Sequence, residues 1–541
     1  MNFIDAMHRA LDQASSRPLL VEVHGTRLVE TSGVQLKDLV QRARGFLASR
    51  GVAPSDRVGL IAHNSAKWAA CDLAVLGAGA ICVPLYDRQA ASELAGMLSD
   101  CAPKVVLVET PTLRQQLSEA WPDHVEIASF EEVFAHAPFD ATPVERSAED
   151  PVTMIYTSGT SGEPKGVLYT VQNVDFMLAR TTERLREMVG ERAGDDRVFH
   201  YLPLCFAGSR IQLWSQLMRE NALMLSTDLN NLVAELGAAQ PHYFLNVPTL
   251  LERIRTGVEG KLRERGGVAQ KLYRAALEAQ ARKDRGQVTL ADRVSLAVGE
   301  RLVFPKIRQQ IGKNLEFLIC GSAPLSEETQ RWFMTIGIPV YQVYGLTETT
   351  AIVTMDRRSL VKPGYVGRAI EGVELKLSDE GELLCRGPNI FGEYWKRADA
   401  TRACKQGEWF RTGDLAELTP SGDLRIVGRL KDLLVPESGH NVAPGPIEQR
   451  LSSLCDGAQV MLVGHARPFL SALVTGDLAP DAVQVAIDRV NEQLPHYRRV
   501  RRFHIAREPF SVENGLLTAN QKLKRGAVEA RYAQEIQEMY A

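Results

Sequence analysis

The chain has 541 residues and a formal charge of -3, from 63 basic and 66 acidic residues. It is 45% hydrophobic and 24% charged, which excludes a mostly disordered chain, a collagen and a disulfide miniprotein, and leaves enough apolar material for several large cores. The length asks for more than one domain, and the balanced charge gives no electrostatic case for nucleic-acid binding.

The first residues, MNFIDAMHRALDQ, lack a basic region followed by a long apolar run, so they read as a short amphipathic helix and not as a signal peptide. RVGLIAH (57–63) reads as a buried strand, KWAACDLAVLGAG as a helix, and AICVPLY as the next strand. The longest apolar stretch, Leu73 to Tyr86, is too short for a spanning helix and contains Gly and Pro. KVVLVE (104–109) and FLIC (317–320) are further buried strands. The alternation of strands and helices predicts α/β architecture with sheets covered on both faces. The eight Cys form no C-x-x-C pair, and the eleven His form no H-E-x-x-H. Zinc-knuckle, thioredoxin and zinc-protease chemistry are therefore not indicated, and a reducing, cytoplasmic setting is expected.

Residues 250–315 carry long helical patterns. From Arg253 to Arg285 ten Lys/Arg outnumber the acidic residues. A solvated helix face explains this most simply, and peripheral contact of 253–285 with anionic lipid is the sharper alternative. From about 376 the pattern turns to strand-turn-strand pairs, KLSDEGELLCRG and DLAELTPSGDLRIVGR. After GRLKD (428–432) comes a segment of about 110 residues with its own strands and helices, large enough for a separate small domain. The predicted organisation is an N-terminal domain over 1–430 and a C-terminal domain over 431–541.

Five motifs carry chemistry. Thr157, Ser158, Gly159, Thr160, Ser161, Gly162, Glu163, Pro164, Lys165 and Gly166 follow the strand VTMIY. Small residues let backbone N–H groups approach an anion, hydroxyls add donors, and Lys165 adds charge, which suits a polyphosphate. The G-x-x-x-x-G-K-[ST] spacing is not met, so an ATP-hydrolysing P-loop protein is disfavoured. Gly321-Ser322-Ala323-Pro324 reads alone only as a strand-ending turn. Tyr344-Gly345-Leu346-Thr347-Glu348 places a carboxylate beside a hydroxyl, a pair that can hold Mg2+ and a phosphate oxygen together. Asp414, in Trp409-Phe410-Arg411-Thr412-Gly413-Asp414, can accept hydrogen bonds from a ribose diol. Leu517-Thr518-Ala519-Asn520-Gln521-Lys522-Leu523-Lys524-Arg525 alone is an ordinary basic helix start.

In this order, and over nearly the whole chain from 51 to 522, the five motifs resemble the adenylate-forming superfamily of acyl-CoA synthetases, nonribosomal adenylation domains and firefly-type luciferases. The resemblance implies a large N-terminal domain of α/β subdomains and a small, mobile α+β C-terminal domain. It implies two steps: a carboxylate attacks the α-phosphate of ATP, releasing pyrophosphate, and a thiol then displaces AMP. ATP and CoA are the implied co-substrates and Mg2+ the implied metal, held by Glu348.

By motif, 157–166 would hold the β- and γ-phosphates. Gly321, Ser322, Ala323 and Pro324 would line the adenine site, with Tyr344 and Gly345 beside it. Thr347 would contact phosphate, and Asp414 with Arg429 the ribose. Lys522 matches the catalytic lysine and Lys431 the hinge. Ser438, Gly439 and His440 would border the pantetheine tunnel after the hinge turns.

FLNVPTLLERI (244–254), the helical insertion, RLVFPKIRQQIG (301–312) and ENGLLT (513–518) look most like long-chain fatty acyl-CoA synthetases. Phe206 stands where that branch usually has His, and aromatic residues there gate the carboxylate pocket in other branches. The implied activity is an AMP-forming ligase for a medium- to long-chain acid, modified acids included. Two alternatives stand beside it: a fatty acyl-AMP ligase loading an acyl carrier protein, and a non-catalytic sensor on the same fold. Either a monomer or a homodimer is compatible with the sequence.

Overall fold

The computed structural model describes residues 2–13, 16–122, 125–158, 164–191, 195–518 and 522–541. Among them the strands form four sheets. In the six-stranded sheet Ile127–Ser129, Val105–Val108, Arg57–Ile61, Ile81–Leu85 and Pro151–Ser158 run parallel, and Pro164–Thr170 closes the edge as an antiparallel hairpin partner. The nine-stranded sheet has a parallel centre that includes Val198–His200, Tyr243–Asn246, Leu318–Cys320 and Val340–Tyr344.

Both faces of these strands are buried, so alternate side chains enter different cores. Val105 and Leu107 join one cluster, Val106 and Val108 another. Likewise Ile319 enters the first cluster while Leu318 and Cys320 enter a third. The first cluster is thus shared by the two sheets. This is why the strands read as unbroken apolar runs and not as alternating ones.

The helix Ala66–Gly77 lies inside the shared core and is buried on every side. Ser65 caps it by accepting the Trp68 N–H at 3.1 Å. Its one charged residue within the core, Asp72, is paired with Arg210 and accepts from Trp214 Nε1 at 2.9 Å. Burying that carboxylate is tolerable only because both partners come with it. The N-terminal segment forms the expected amphipathic helix, Phe3–Gln13, which buries Phe3, Ile4, Met7 and Leu11.

The helical stretch takes the form of Pro248–Arg265, Gly267–Asp284, Leu290–Leu302 and Phe304–Ile311. It seats against the nine-stranded sheet through Tyr273, whose hydroxyl donates to Glu259 at 3.0 Å and accepts from Trp332 Nε1 at 2.5 Å. Arg282 of the basic run pairs with Asp292 at 2.7 Å. Among the described residues no helix is long and apolar enough to cross a membrane.

A five-stranded antiparallel sheet follows, built on the long strand Trp409–Leu418 and its partner Leu424–Arg429. The last part of the chain is a small α+β unit. Val460–Val463, Leu470–Thr475 and Val500–Ala506 form its sheet, with Gly445–Leu454 and Pro480–Asn491 packed on one core and Arg525–Arg531 and Ala533–Tyr540 on another. The architecture is therefore a large α/β N-terminal domain with covered sheets and a small α+β C-terminal domain.

Candidate active site

Parallel strands end their carboxyl termini in a crevice, where loops converge. Here Leu318–Cys320 hands over to Gly321–Pro324, and Val340–Tyr344 to Gly345–Glu348. The two turns lie close together. A Cβ on Gly321 would stand 2.6 Å from Val343 Cγ2, and one on Gly345 would collide with the Ala351 carbonyl. Ser322 takes φ +70, a left-handed conformation that an L residue adopts at some expense and that is common at functional turns. The Thr347–Thr349 turn is held from behind by Tyr169, whose hydroxyl donates to the Thr347 carbonyl at 2.5 Å.

Charge is arranged around these turns. Glu348 Oε1 accepts from the Tyr394 hydroxyl at 2.7 Å. Lys165 Nζ stands 5.3 Å from the centroid of the Tyr394 ring. Asp414, buried, accepts from Tyr344 Oη at 2.7 Å and from Arg429 Nε at 2.8 Å. Burial, with Asp414 adding to it, pushes the Tyr344 hydroxyl well above its ordinary range. Burial works against the charge of Arg429, but Asp414 and then Glu348 outweigh it, so its pKa is raised.

Lys522 enters from the C-terminal domain. Its pKa is lowered, first by desolvation and then by Arg429, with Asp414 and Glu348 acting the other way. The residue is exposed and lines a wide cavity. Lys431, on the Leu430–Asp432 turn, is lowered likewise by desolvation, with Arg429 and Lys165 contributing. Lys165, Arg429, Lys431 and Lys522 thus surround the same space that Glu348 faces. A cationic, partly desolvated cleft of this kind favours a polyanion.

The cavity has a volume of about 2130 Å3. Its wall brings together Thr157, Lys165, Phe206, Gly321, Ser322, Ala323, Pro324, Gly345, Thr347, Glu348, Arg429, Lys431 and Lys522. Tyr344 and Asp414 stand directly beside wall residues Gly345 and Gly413. Phe206 lines the same cavity, with its ring centroid 5.8 Å from that of Tyr86, another wall residue. Gly159, Thr160, Ser161 and Gly162 lie outside the described residues, as does the side chain of Ser158.

Ser438, Gly439 and His440 are not brought to this cavity. They are exposed on the C-terminal domain, where the His440 ring lies 4.2 Å, centroid to centroid, from that of Tyr497. Gly439 has φ +75, so a side chain there is disfavoured by the backbone itself.

Three residues of the site escaped the sequence reading. Tyr169 follows the 157–166 motif in VLYT and Tyr394 lies in FGEYWKR, but nothing in either stretch points to their partners, which are 178 and 46 positions away. Gln449 Nε2 reaches the Pro324 carbonyl at 2.9 Å across the domain junction, over 125 positions. No local spacing encodes contacts of that range.

The AMP-binding enzyme profile matches residues 8–395, and the AMP-binding enzyme C-terminal domain profile matches residues 431–541. This chain belongs to the AMP-binding enzyme family. Among relatives, it is 30% identical over 546 residues to the long-chain-fatty-acid–CoA ligase FadD15 of Mycobacterium tuberculosis, covering 91% of this chain and 89% of that one. It is 24% identical to the long-chain-fatty-acid–CoA ligase ACSBG2 of Rattus norvegicus, over 100% and 93% of the two chains. Among solved structures, the A domain of a carboxylic acid reductase from Segniliparus rugosus superposes with a TM-score of 0.79 at 21% identity, covering 100% of this AMP-binding enzyme and 94% of that chain. An anthranilate CoA ligase superposes at 0.76, with 21% identity and coverages of 98% and 97%. These two likenesses speak for the fold.

Proposed function

We propose that this AMP-binding enzyme is an AMP-forming fatty acid–CoA ligase, acting on an acid of medium to long chain. The observation that carries the reading is Lys522. The C-terminal domain delivers its ammonium into the cavity that also holds Glu348, Arg429 and the 321–324 turn. Named long-chain ligases at about 30% identity over nearly full length support the same reading.

In the first step a carboxylate oxygen attacks the α-phosphorus of ATP, the bond to pyrophosphate breaks, and an acyl-adenylate forms. Lys522 bridges the carboxylate and the α-phosphate, and its charge offsets the negative charge that builds on the pentavalent phosphorus. Fixed charge in a partly desolvated site does this without reorganising when the reaction occurs. Lys165 and the 157–166 segment hold the β- and γ-phosphates, and Thr347 a phosphate oxygen. The 321–324 turn and Tyr344 receive adenine, and Asp414 retains lone pairs for the ribose hydroxyls after accepting from Tyr344 and Arg429.

Mg2+ fits Glu348. Its carboxylate faces the cavity with one oxygen steadied by Tyr394. Among the described residues no group of three His, Cys, Asp or Glu side chains could hold a metal, as suits an ion that takes most of its ligands from phosphate and water. When bound, Mg2+ neutralises phosphate charge.

In the second step the C-terminal domain turns about Lys431, at a domain junction we put between residues 430 and 431. Lys522 leaves, and the Ser438–Gly439–His440 loop comes to border the entry of the CoA thiol. The thiol sulfur attacks the acyl carbon, its proton passes to solvent, and AMP departs with the bonding electron pair.

The test is pyrophosphate release and thioester formation across saturated acids, each with and without CoA. CoA-dependent thioester with a chain-length optimum is expected. Pyrophosphate without CoA product moves the acceptor to a carrier protein. No pyrophosphate with any acid overturns the reading.

A further inference from the structure

The cavity is also lined by two helices that pack on each other, Val171–Val189 and Ala207–Met218. Thr181 and Leu185 line it from the first, Ser209, Ile211 and Gln212 from the second, and Ile352 and Met355 line it as well. This is the compartment that would take the acyl chain. An unsubstituted alkyl chain asks only for apolar walls.

The walls are not uniformly apolar. Thr181 is 5% exposed, Ser209 1% and Gln212 6%. Thr181 Oγ1, Ser209 Oγ and Gln212 Nε2 have no hydrogen-bond partner among the described residues. Inside a helix, Ser and Thr hydroxyls ordinarily return to the carbonyl one turn back, and these two do not. Ser209 and Gln212 are three positions apart, hence neighbours on one helix face. The unpartnered hydroxyls of Thr182 and Ser215 extend the polar character behind the wall.

Leaving buried donors without partners is unfavourable, and native structures rarely do so without a reason. Leu, Val or Ala at these three positions would fill the same space without that cost. The groups are also of one kind. An amide N–H donates, and each hydroxyl can donate or accept. An oxygen atom on the chain is a partner that any of them could take.

Resting on the ligase reading above, we propose that the acid this enzyme activates carries a hydroxyl or keto oxygen along its chain, held by Thr181, Ser209 and Gln212. These residues then act as specificity determinants, and a plain saturated acid is the poorer substrate because it leaves them unpaired.

The experiment compares kcat/KM for pyrophosphate release with saturated acids and with hydroxy- and oxo-acids of the same length, substituted at successive positions. The wild-type enzyme is expected to favour one oxygen-bearing series by about tenfold or more. Thr181→Val, Ser209→Ala and Gln212→Met are each expected to shrink that ratio, chiefly by slowing the oxygen-bearing acid, while Thr181→Ser retains it. If plain acids are used as well as every oxygen-bearing one, the ligase reading stands and this inference falls. A preference that survives all three substitutions also overturns it, since recognition then lies elsewhere. No turnover with either class removes the ligase reading and this inference with it. The wild-type comparison decides even where a substituted protein fails to fold.

Discussion

Gln449 donates a hydrogen bond of 2.9 Å from its side-chain amide to the main-chain carbonyl of Pro324. The donor belongs to the C-terminal domain and the acceptor to the turn proposed to receive adenine. A second link across the junction joins Lys524 to Glu93 at 3.4 Å. Both links are exposed, and exposed pairs contribute about 0–1 kcal/mol each. These two links across the junction can be given up at little cost, as a turn about Lys431 requires.

Proline at that turn tests the idea. Lys431→Pro fixes φ at about -65° and removes one N–H. Adenylation, which needs only the present arrangement, is expected to keep most of its rate. Transfer to the thiol from supplied acyl-adenylate is expected to fall by about 100-fold or more, as for a lost gating motion. Single-turnover assays of the two half-reactions measure this. Equal loss in both would remove the two-arrangement account.

Lys522→Ala should behave the opposite way, losing adenylation while sparing transfer from acyl-adenylate. There is also a pH signature. Desolvation and the neighbouring Arg429 lower the Lys522 pKa, so its ammonium is lost at lower pH than in a free lysine. Since the charged form is the one that acts, adenylation should decline on the alkaline side, and the decline should begin below the ordinary lysine range. Lys522→Arg keeps its charge and should flatten that limb, even where the overall rate is lower. A rate profile unchanged by Lys522→Arg would detach the limb from Lys522.

Tyr394 holds one oxygen of Glu348. Hydrogen bonds to charged groups are worth about 1.5–3 kcal/mol, and water can replace part of this in an open cavity. Tyr394→Phe should therefore raise the KM for ATP by roughly tenfold, with a smaller change in the KM for the acid. A thermal-shift assay should find the fold intact. An unaltered KM for ATP would mean that Glu348 is oriented without Tyr394.

The fold was legible where burial is on both faces. Val105–Val108 and Ile81–Leu85 are unbroken apolar runs because alternate residues feed different cores, and a buried helix such as Ala66–Gly77 is apolar all round for the same reason. The sites on sharp turns were legible too. Gly321 and Gly345 stand where a side chain would strike Val343 or Ala351, and such positions leave a trace in residue type. What was not legible is long-range pairing. Nothing near Tyr169 or Tyr394 announces a partner at Thr347 or Glu348. The polar groups between the two acyl-chain helices were equally silent, because Ser, Thr and Gln in a helix are unremarkable until their burial and lack of partners are known.

Asp356 offers a test of the fold away from the catalytic groups. It is 1% exposed. Its Oδ2 accepts the Gln342 N–H at 2.8 Å, while Oδ1 has no partner among the described residues. Burial pushes its pKa up to about 7; Asp423 adds to this, and the Gln342 N–H and Arg184 oppose it. The folded protein thus binds this proton more tightly than the unfolded chain, where an aspartate titrates near its ordinary value of 3.8. The stabilisation is present in full below the unfolded pKa and is lost as pH rises through the folded one. Asp356→Asn keeps an acceptor for Gln342 and cannot ionise. Relative to that variant, the wild-type protein should lose Tm steadily between about pH 4 and pH 7 and change little above. Melting curves for both proteins across that window measure the difference. A constant offset would mean that Asp356 is ionised in the folded state throughout, and that the unpaired oxygen is met by a cation or by water instead of by its own proton.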